Sequence, residues 1–248
     1  LQIDQEKCSG CGICIPYCPV QAITLSNKKA HVNRTECLEC GNCGRSLVVR
    51  CPKGAFMEDP DLYEGPRAVR KFFSDPMTTH VITRTPGRGT EEVKTNDVTG
   101  RVRRGEVGFG IEVGRPCCGA SMEQVQKITT VLAANGVEFE DKNPLTHLMS
   151  DRTTGAIAEQ YLGEKVVSAI IEFAVEEERL SEILDILKNV AKDLDTVFSL
   201  SLTTCFSDDG TIPVMDVLNQ QGLVPRPNAK INLGMGRPLA PATREGGN

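Results

Sequence analysis

Eight of the eleven cysteines in this 248-residue chain fall within the first 51 residues, and they fall in two matching runs. The first is Cys8-x2-Cys11-x2-Cys14-x3-Cys18-Pro19; the second is Cys37-x2-Cys40-x2-Cys43, completed by Cys51-Pro52. The offset between them is 29 residues, and the likeness extends beyond sulfur. Ile3-Asp4 precedes the first run as Val32-Asn33 precedes the second, and Pro19-Val-Gln-Ala22-Ile23 echoes Pro52-Lys-Gly-Ala55-Phe56. This is an internal duplication, and it predicts a domain of two pseudo-twofold halves.

In a short secreted chain so many cysteines imply disulfides, whereas thiols at C-x2-C spacing imply metal. Zinc ribbons and knuckles also use C-x2-C pairs. Two C-x2-C-x2-C…C-P sets match the signature of an iron-sulfur cluster better. Over residues 1–58 the runs resemble those of the bacterial dicluster ferredoxins. The resemblance implies two 4Fe-4S clusters, because three thiolates on one tight loop reach three iron corners of a cubane and the fourth ligand comes from the other run. Carried across, cluster one is held by Cys8, Cys11, Cys14 and Cys51, and cluster two by Cys37, Cys40, Cys43 and Cys18. The chain departs from the pattern between Cys43 and Cys51, where seven residues, Gly44 to Arg50, stand in place of three. Four extra residues amount to roughly one helical turn, which returns Cys51 to the same face.

The remaining chain is read in three pieces. Residues 59–104 form a connecting segment, partly structured, with a helix from Pro66 to Ser74, an extended stretch from Thr79 to Arg84 and a turn at Pro86-Gly-Arg-Gly89. Residues 105–205 switch period as a βαββαβ unit should. Val107, Phe109, Ile111 and Val113 alternate as a strand, and Ser121-Met-Glu-Gln124 is a capping-box pattern that opens a helix stopped by Asn135-Gly136. Extended stretches follow at Val137–Glu140 and Thr146–Met149. Val167 to Val175 then alternate, Leu180 to Leu194 form a helical stripe, and Phe198, Leu200 and Leu202 give a last strand. The fold class is therefore α+β: an N-terminal dicluster ferredoxin domain and a C-terminal unit resembling the ferredoxin-like sandwich, with two helices over one face of a four-stranded sheet. Such topologies serve docking and ligand sensing, including regulatory modules of amino-acid enzymes, although topology alone does not give function. Residues 206–248 hold a short helix near Pro213–Gln221 and an extended tail.

Three cysteines remain. Cys117-Cys118-Gly119 leads into the capped helix and is similar to the triplet in the cysteine-rich domains of heterodisulfide reductases, whose further cysteines are absent here. A thiol at a helix N-terminus is biased toward thiolate, which makes Cys117 and Cys118 the candidates for any catalytic or redox-active site; packing is the plainer role. Arg115 beside them is a candidate anion holder. Cys205 follows the last strand, and in this topology the first and last strands are antiparallel, which separates it from Cys117. His31, His80 and His147 read as isolated structural residues.

Composition narrows the function. With no Trp, three Tyr and eight Phe, a large stacking surface for nucleic acid is not expected. The longest apolar run, near Val166–Val175, is too short to span a bilayer, and no signal peptide opens the chain, so a cytoplasmic, anoxic setting is expected. Charge is uneven: residues 105–248 hold twelve Lys/Arg against twenty-one Asp/Glu, while residues 61–104 hold nine against six. Arg101, Arg103 and Arg104 are either a docking patch or a solvated face. With two oxidised clusters at −2 each, the formal charge falls from −5 to about −9, which calls for a basic partner surface. The expected function is one-electron transfer at low potential, as a protein or as a subunit of an anaerobic oxidoreductase. Expected partners are a redox protein or oxidoreductase subunit, further subunits in a homo- or hetero-oligomer, and a small-molecule ligand of the second unit. An iron-sulfur reductase with its reaction around Cys117 and Cys118 is the alternative.

Overall fold

The computed structural model describes residues 1–45, 51–82, 84, 87–90, 95–96, 99–116 and 119–225. Among the described residues of the first 57 are four short strands, β1 (Gln2–Ile3), β2 (Ile23–Ser26), β3 (Lys29–Val32) and β4 (Phe56–Met57), and a one-turn helix α1 (Asn42–Arg45). β1 pairs antiparallel with β4, and β2 with β3. Each ribbon thus joins the start of one half of the duplication to the end of the other. The hydrogen bonds repeat accordingly: Asp4 N–H donates to Ala55 C=O and Asn33 N–H to Ala22 C=O, both at 2.7 Å. A small core of Ile23, Ala30 and Ala55, with Ile3, Ile15 and Phe56 against it, fills the space between the ribbons.

A second and larger core starts at α2 (Ala68–Ser74), whose Val69, Phe72 and Phe73 are buried in it. The stretch read as a connection therefore contributes to this core. Its helix begins two residues later than Pro66, after the turn that proline makes. The predicted extended stretch at Thr79–Arg84 gives way to a turn closed by Arg84 N–H on His80 C=O at 2.9 Å.

Beyond it come β5 (Glu106–Val113), β6 (Ala120–Ser121), α3 (Met122–Ala134), β7 (Met149–Asp151), β8 (Ala156–Ile157), α4 (Glu159–Leu162), β9 (Lys165–Val166), β10 (Ala169–Glu176), α5 (Leu180–Val190), β11 (Phe198–Thr203) and α6 (Met215–Gln220). β5 lies between β10 and β11, antiparallel to both. Residues 137–140, expected as a strand, meet the sheet through a single bridge, Phe139 with Phe173. Thr146–Leu148, also expected to be extended, is a 3-10 turn. The sheet proper thus has three strands where four were expected.

The periodicities that predicted these elements set what they bury. Val107, Phe109, Ile111 and Val113 point into the core, where Phe109 stacks on its cross-strand partner Phe173 with centroids 4.8 Å apart. Leu180, Ile183, Leu184 and Leu187 line the buried face of α5, each contributing roughly 1.5–3 kcal/mol of apolar burial. Helix α3 starts and stops on its predicted residues. Ser121 Oγ accepts from Gln124 N–H, and after Asn135 the Gly136 and Val137 N–H groups close back on Ala133 and Leu132. Gln124 does not complete the capping box, because its side chain bonds Asp195 across a gap of 71 residues. The other side of β5 is covered too: a Cβ on Gly108 would lie 2.5 Å from Val102 Cγ2, so only glycine admits that contact.

Candidate metal centres

The two cysteine runs fold into two cavities, and each run gives its last cysteine to the other's cavity. Cys8, Cys11, Cys14 and Cys51 line one, here called the outer cavity. Cys18, Cys37, Cys40 and Cys43 line the inner cavity. The single 3-10 turn Ile15–Tyr17 carries the chain from Cys14 on one to Cys18 on the other. Cys51 reaches the outer cavity despite the longer loop before it, of which residues 46–50 lie outside the described residues.

The local backbone explains how three thiols come to point one way. Asp4 accepts from the Glu6 and Lys7 amides and Asn33 from the Thr35 amide, and each cap leads into a turn closed by a 3.0 Å bond, from Cys8 N–H to Asp4 C=O or from Cys37 N–H to Asn33 C=O. At the next bend Gly10 has φ +70°, and a Cβ there would sit 2.0 Å from the Lys28 carbonyl oxygen. The equivalent residue of the second run, Glu39, adopts φ +56°. Its buried carboxylate accepts from Arg67 Nε at 2.9 Å and Nη2 at 2.6 Å.

Electrostatics group the sulfurs in the same way as the cavities do. Burial, then the neighbouring Cys40, Cys37 and Cys18, push the Cys43 thiol up to about 12. Burial, then Cys11, Cys8 and Cys51, raise Cys14, and burial followed by Glu39 raises Cys37. Cys8 moves the other way, because the Ala30 and Gly10 amides and the Lys29 charge favour its thiolate. Four thiolates crowded round one void need positive charge inside it, which bound metal supplies as protons leave. Among the described residues no three His, Cys, Asp or Glu side chains converge as they would round a single ion. Four cysteines round each cavity match the ligand count of a cubane cluster.

Backbone amides supply a further layer. Ala22 N–H donates to Cys18 Sγ at 3.1 Å, Ala55 N–H to Cys51 Sγ at 3.4 Å, and Ala30 N–H to Cys8 Sγ at 3.4 Å. Hydrogen bonds to ligand sulfur raise the potential of such centres. The duplication pairs Ala22 with Ala55, and their equal distance from the last cysteine of each run was the one signal of this role, which sequence reasoning missed. It also missed Arg67 and Arg70. Arg70, buried on α2, donates through Nη1 to the carbonyls of Thr35 at 2.8 Å and Cys37 at 2.9 Å and pairs with Glu164. Lys165 on β9 pairs with Glu36 at 2.7 Å. The inner cavity's loop is thereby fastened to the larger core.

The other candidate residues are not gathered here. Cys117 and Cys118 lie outside the described residues, as do Thr83 of the expected extended stretch, Pro86 of the expected turn and residues 226–248 of the tail. Cys205 is half-buried, with burial raising its thiol. The pairing of Thr203 with Gly108 and of Phe198 with Val113 puts it at the opposite end of β5 from Arg115. Arg115 does not present a free charge to an anion: it leans on Glu112 at 3.6 Å, and Arg88 and Ser168 donate to the same carboxylate at 3.0 Å. Arg104 pairs with Asp208, and Arg101 lies 4.0 Å from Glu140. His80 and His147, expected to be isolated, have ring centroids 6.5 Å apart.

Residues 1–24 match the 4Fe-4S binding domain family, so the N-terminus is a ferredoxin-type segment with a C-x2-C-x2-C motif for at least one 4Fe-4S cluster. Over 25 residues, 10% of the chain, it is 64% identical to a heterodisulfide reductase subunit-like protein of Archaeoglobus profundus. Over 57 residues, 22% of the chain, it is 42% identical to the indolepyruvate oxidoreductase subunit IorA of Pyrococcus horikoshii. These stretches span only 4% and 8% of the relatives' own lengths. No solved structure matches the chain. Among the described residues no helix is long and apolar enough to cross a membrane.

Proposed function

We propose that the chain is a one-electron transfer subunit of an oxidoreductase working in an anoxic cytoplasm, with two 4Fe-4S clusters in residues 1–58. The observation that carries this reading is the crossed grouping of eight cysteines, in which Cys51 joins Cys8, Cys11 and Cys14 while Cys18 joins Cys37, Cys40 and Cys43. A bound 4Fe-4S cluster accepts and releases one electron. The protein's part is to hold the thiolates, donate amide hydrogen bonds to them and exclude water, which the Ala22, Ala30 and Ala55 amides and the small apolar core are placed to do.

In this reading residues 105–205 are a ferredoxin-like βαββαβ sandwich that fixes the partner, assembles subunits or senses a ligand. The strand order β10-β5-β11, the bridge beyond β10 at Phe139 and the shared core of α3 and α5 support it. Residues 59–104 then join the two units, and residues 206–248 form the terminal helix and tail. The matches to subunits of two oxidoreductases favour a place in such a complex.

The test is anoxic reconstitution followed by iron analysis and paramagnetic resonance of the reduced protein. About eight irons per chain and two magnetically interacting centres are expected. Cys51→Ser should alter the same signal as Cys11→Ser, and Cys18→Ser the other. Bound zinc without a reducible centre would overturn the reading.

A further inference from the structure

The two cavities stand in unlike surroundings. The inner one has buried Cys37, Leu38 and Cys43 at its wall, and its loop is fastened through Arg67 and Arg70 to α2. The outer one reaches the surface: Cys11 is exposed, and Ile13 in its wall is 45% exposed. Leu25, 47% exposed, lies beside Gly12 in the same loop, where a Cβ would meet Leu25 Cδ1 at 3.5 Å.

The backbone of Lys28, Lys29 and Lys53 runs beside that apolar mouth. The Lys28 carbonyl abuts Gly10, and the Lys29 ammonium donates to Cys8 C=O at 2.6 Å. Lys53 stands exposed in the turn from Cys51 to Ala55, next to Pro52 of the cavity wall. Lys7 is paired with Asp4 at 3.2 Å, which leaves Glu6 as the nearby acid in sequence. Lys28 and Lys53 have no carboxylate partner among the described residues. The chain carries a net charge of −5 and each oxidised cluster adds −2, so these lysines place positive charge on the rim of a negative centre.

Resting on the two-cluster reading, we infer that the outer centre is the electron port and that its lysine-rimmed, apolar mouth docks a redox partner with an acidic surface round its own centre. A local patch steers association even against an opposite net charge, because fields from groups beyond a Debye length of about 10 Å are screened. Net charge alone would call for a basic partner. The local arrangement reverses that expectation.

The sign of the local field is testable without the partner. The reduced holoprotein is mixed with one of two oxidants of opposite charge, tris(oxalato)cobaltate(III) or hexaamminecobalt(III). In each case one electron leaves a reduced cluster and Co(III) becomes Co(II). At an ionic strength of about 0.1 M the wild type should favour the anionic complex relative to Lys28→Glu and Lys53→Glu, each of which should shift the rate ratio about tenfold toward the cationic complex. Lys192→Glu makes the same charge change on the exposed end of the other unit and should leave the ratio near the wild-type value. The inference is overturned if all three variants shift the ratio equally, or if none does. Resonance spectra of the same samples separate this failure from the other: two reducible centres with no charge preference sink the port and leave the two-cluster reading standing.

Discussion

Arg70 donates its guanidinium Nη1 to the carbonyl of Cys37 at 2.9 Å, although the two residues stand 33 positions apart, one on α2 and the other opening the second cysteine run. The same side chain reaches Glu164 and the carbonyls of Arg34 and Thr35, and it is 5% exposed. One cation thus ties the loop of the inner cavity to the sheet unit. Arg70→Ala strips Glu164 of its partner and leaves three carbonyls short of a donor. A loss of about 3 kcal/mol is expected, at the low end for a broken buried pair because Glu164 keeps some access to water. Thermal unfolding followed by resonance should show the inner signal fading before the outer one. Equal fading of both would mean that Arg70 holds the fold and not the loop.

Lys29 lies against the outer centre, its ammonium on the Cys8 carbonyl. A nearby cation favours the added electron, so Lys29→Met should lower the potential of that centre. A partly exposed charge is worth on the order of 1 kcal/mol, or ~40 mV for one electron. Lys29→Arg should restore the potential. Potentiometric titration monitored by resonance reads both centres at once, and a shift confined to the inner one would refute the placement.

How much of this was legible beforehand depends on whether a signal was local. The cysteine spacing is local, and through it the resemblance to the dicluster ferredoxins that implied crossed sets; the cysteines line the two cavities in that grouping. Strands β5, β10 and β11 and helices α3 and α5 were legible because their buried faces repeat at period two or 3.6. The fourth strand was overestimated: Val137–Glu140 has strand-like residues, but a lone bridge at Phe139 is all that the sheet edge offers them. Thr146–Met149 misled in the same way, since the turn there is fixed by Asn143, whose side chain accepts from Leu145 N–H at 2.7 Å. The clamp by Arg67 and Arg70 could not be read, because nothing near α2 in sequence announces partners 28 to 94 residues away.

His80 gives a dependence on pH. It is buried edge-on to Phe72 and Phe73, and burial, then His147, lowers its pKa from the ordinary value. In the unfolded chain His80 takes up a proton below about pH 6.5, whereas in the folded protein it resists. Its contribution to stability is therefore complete above that pH and is lost as pH falls toward the lowered value. The melting temperature should drop between about pH 7.5 and 5.5, and His80→Phe should flatten that drop. A variant as sensitive as the wild type would assign the dependence to other groups.

The last prediction turns on a break in the duplication. Gly10 and Glu39 occupy matching places in the two runs and share a left-handed backbone, but their surroundings differ. At Gly10 the Lys28 carbonyl fills the space a side chain would need, 2.0 Å from an added Cβ. At Glu39 the space is open enough for a carboxylate, and Arg67 binds it. Gly10→Ala therefore adds a backbone clash to the roughly 1–2 kcal/mol that a Cβ costs at positive φ. The loop must shift, the three thiols it aims lose register, and iron content should fall by about half, with the outer signal lost. Glu39→Gln keeps the backbone and one hydrogen bond to Arg67, so both signals should survive. If instead Gly10→Ala retains both centres, the loop is held by its cluster and not by its own geometry, and the fit between backbone and cavity is the wrong cause.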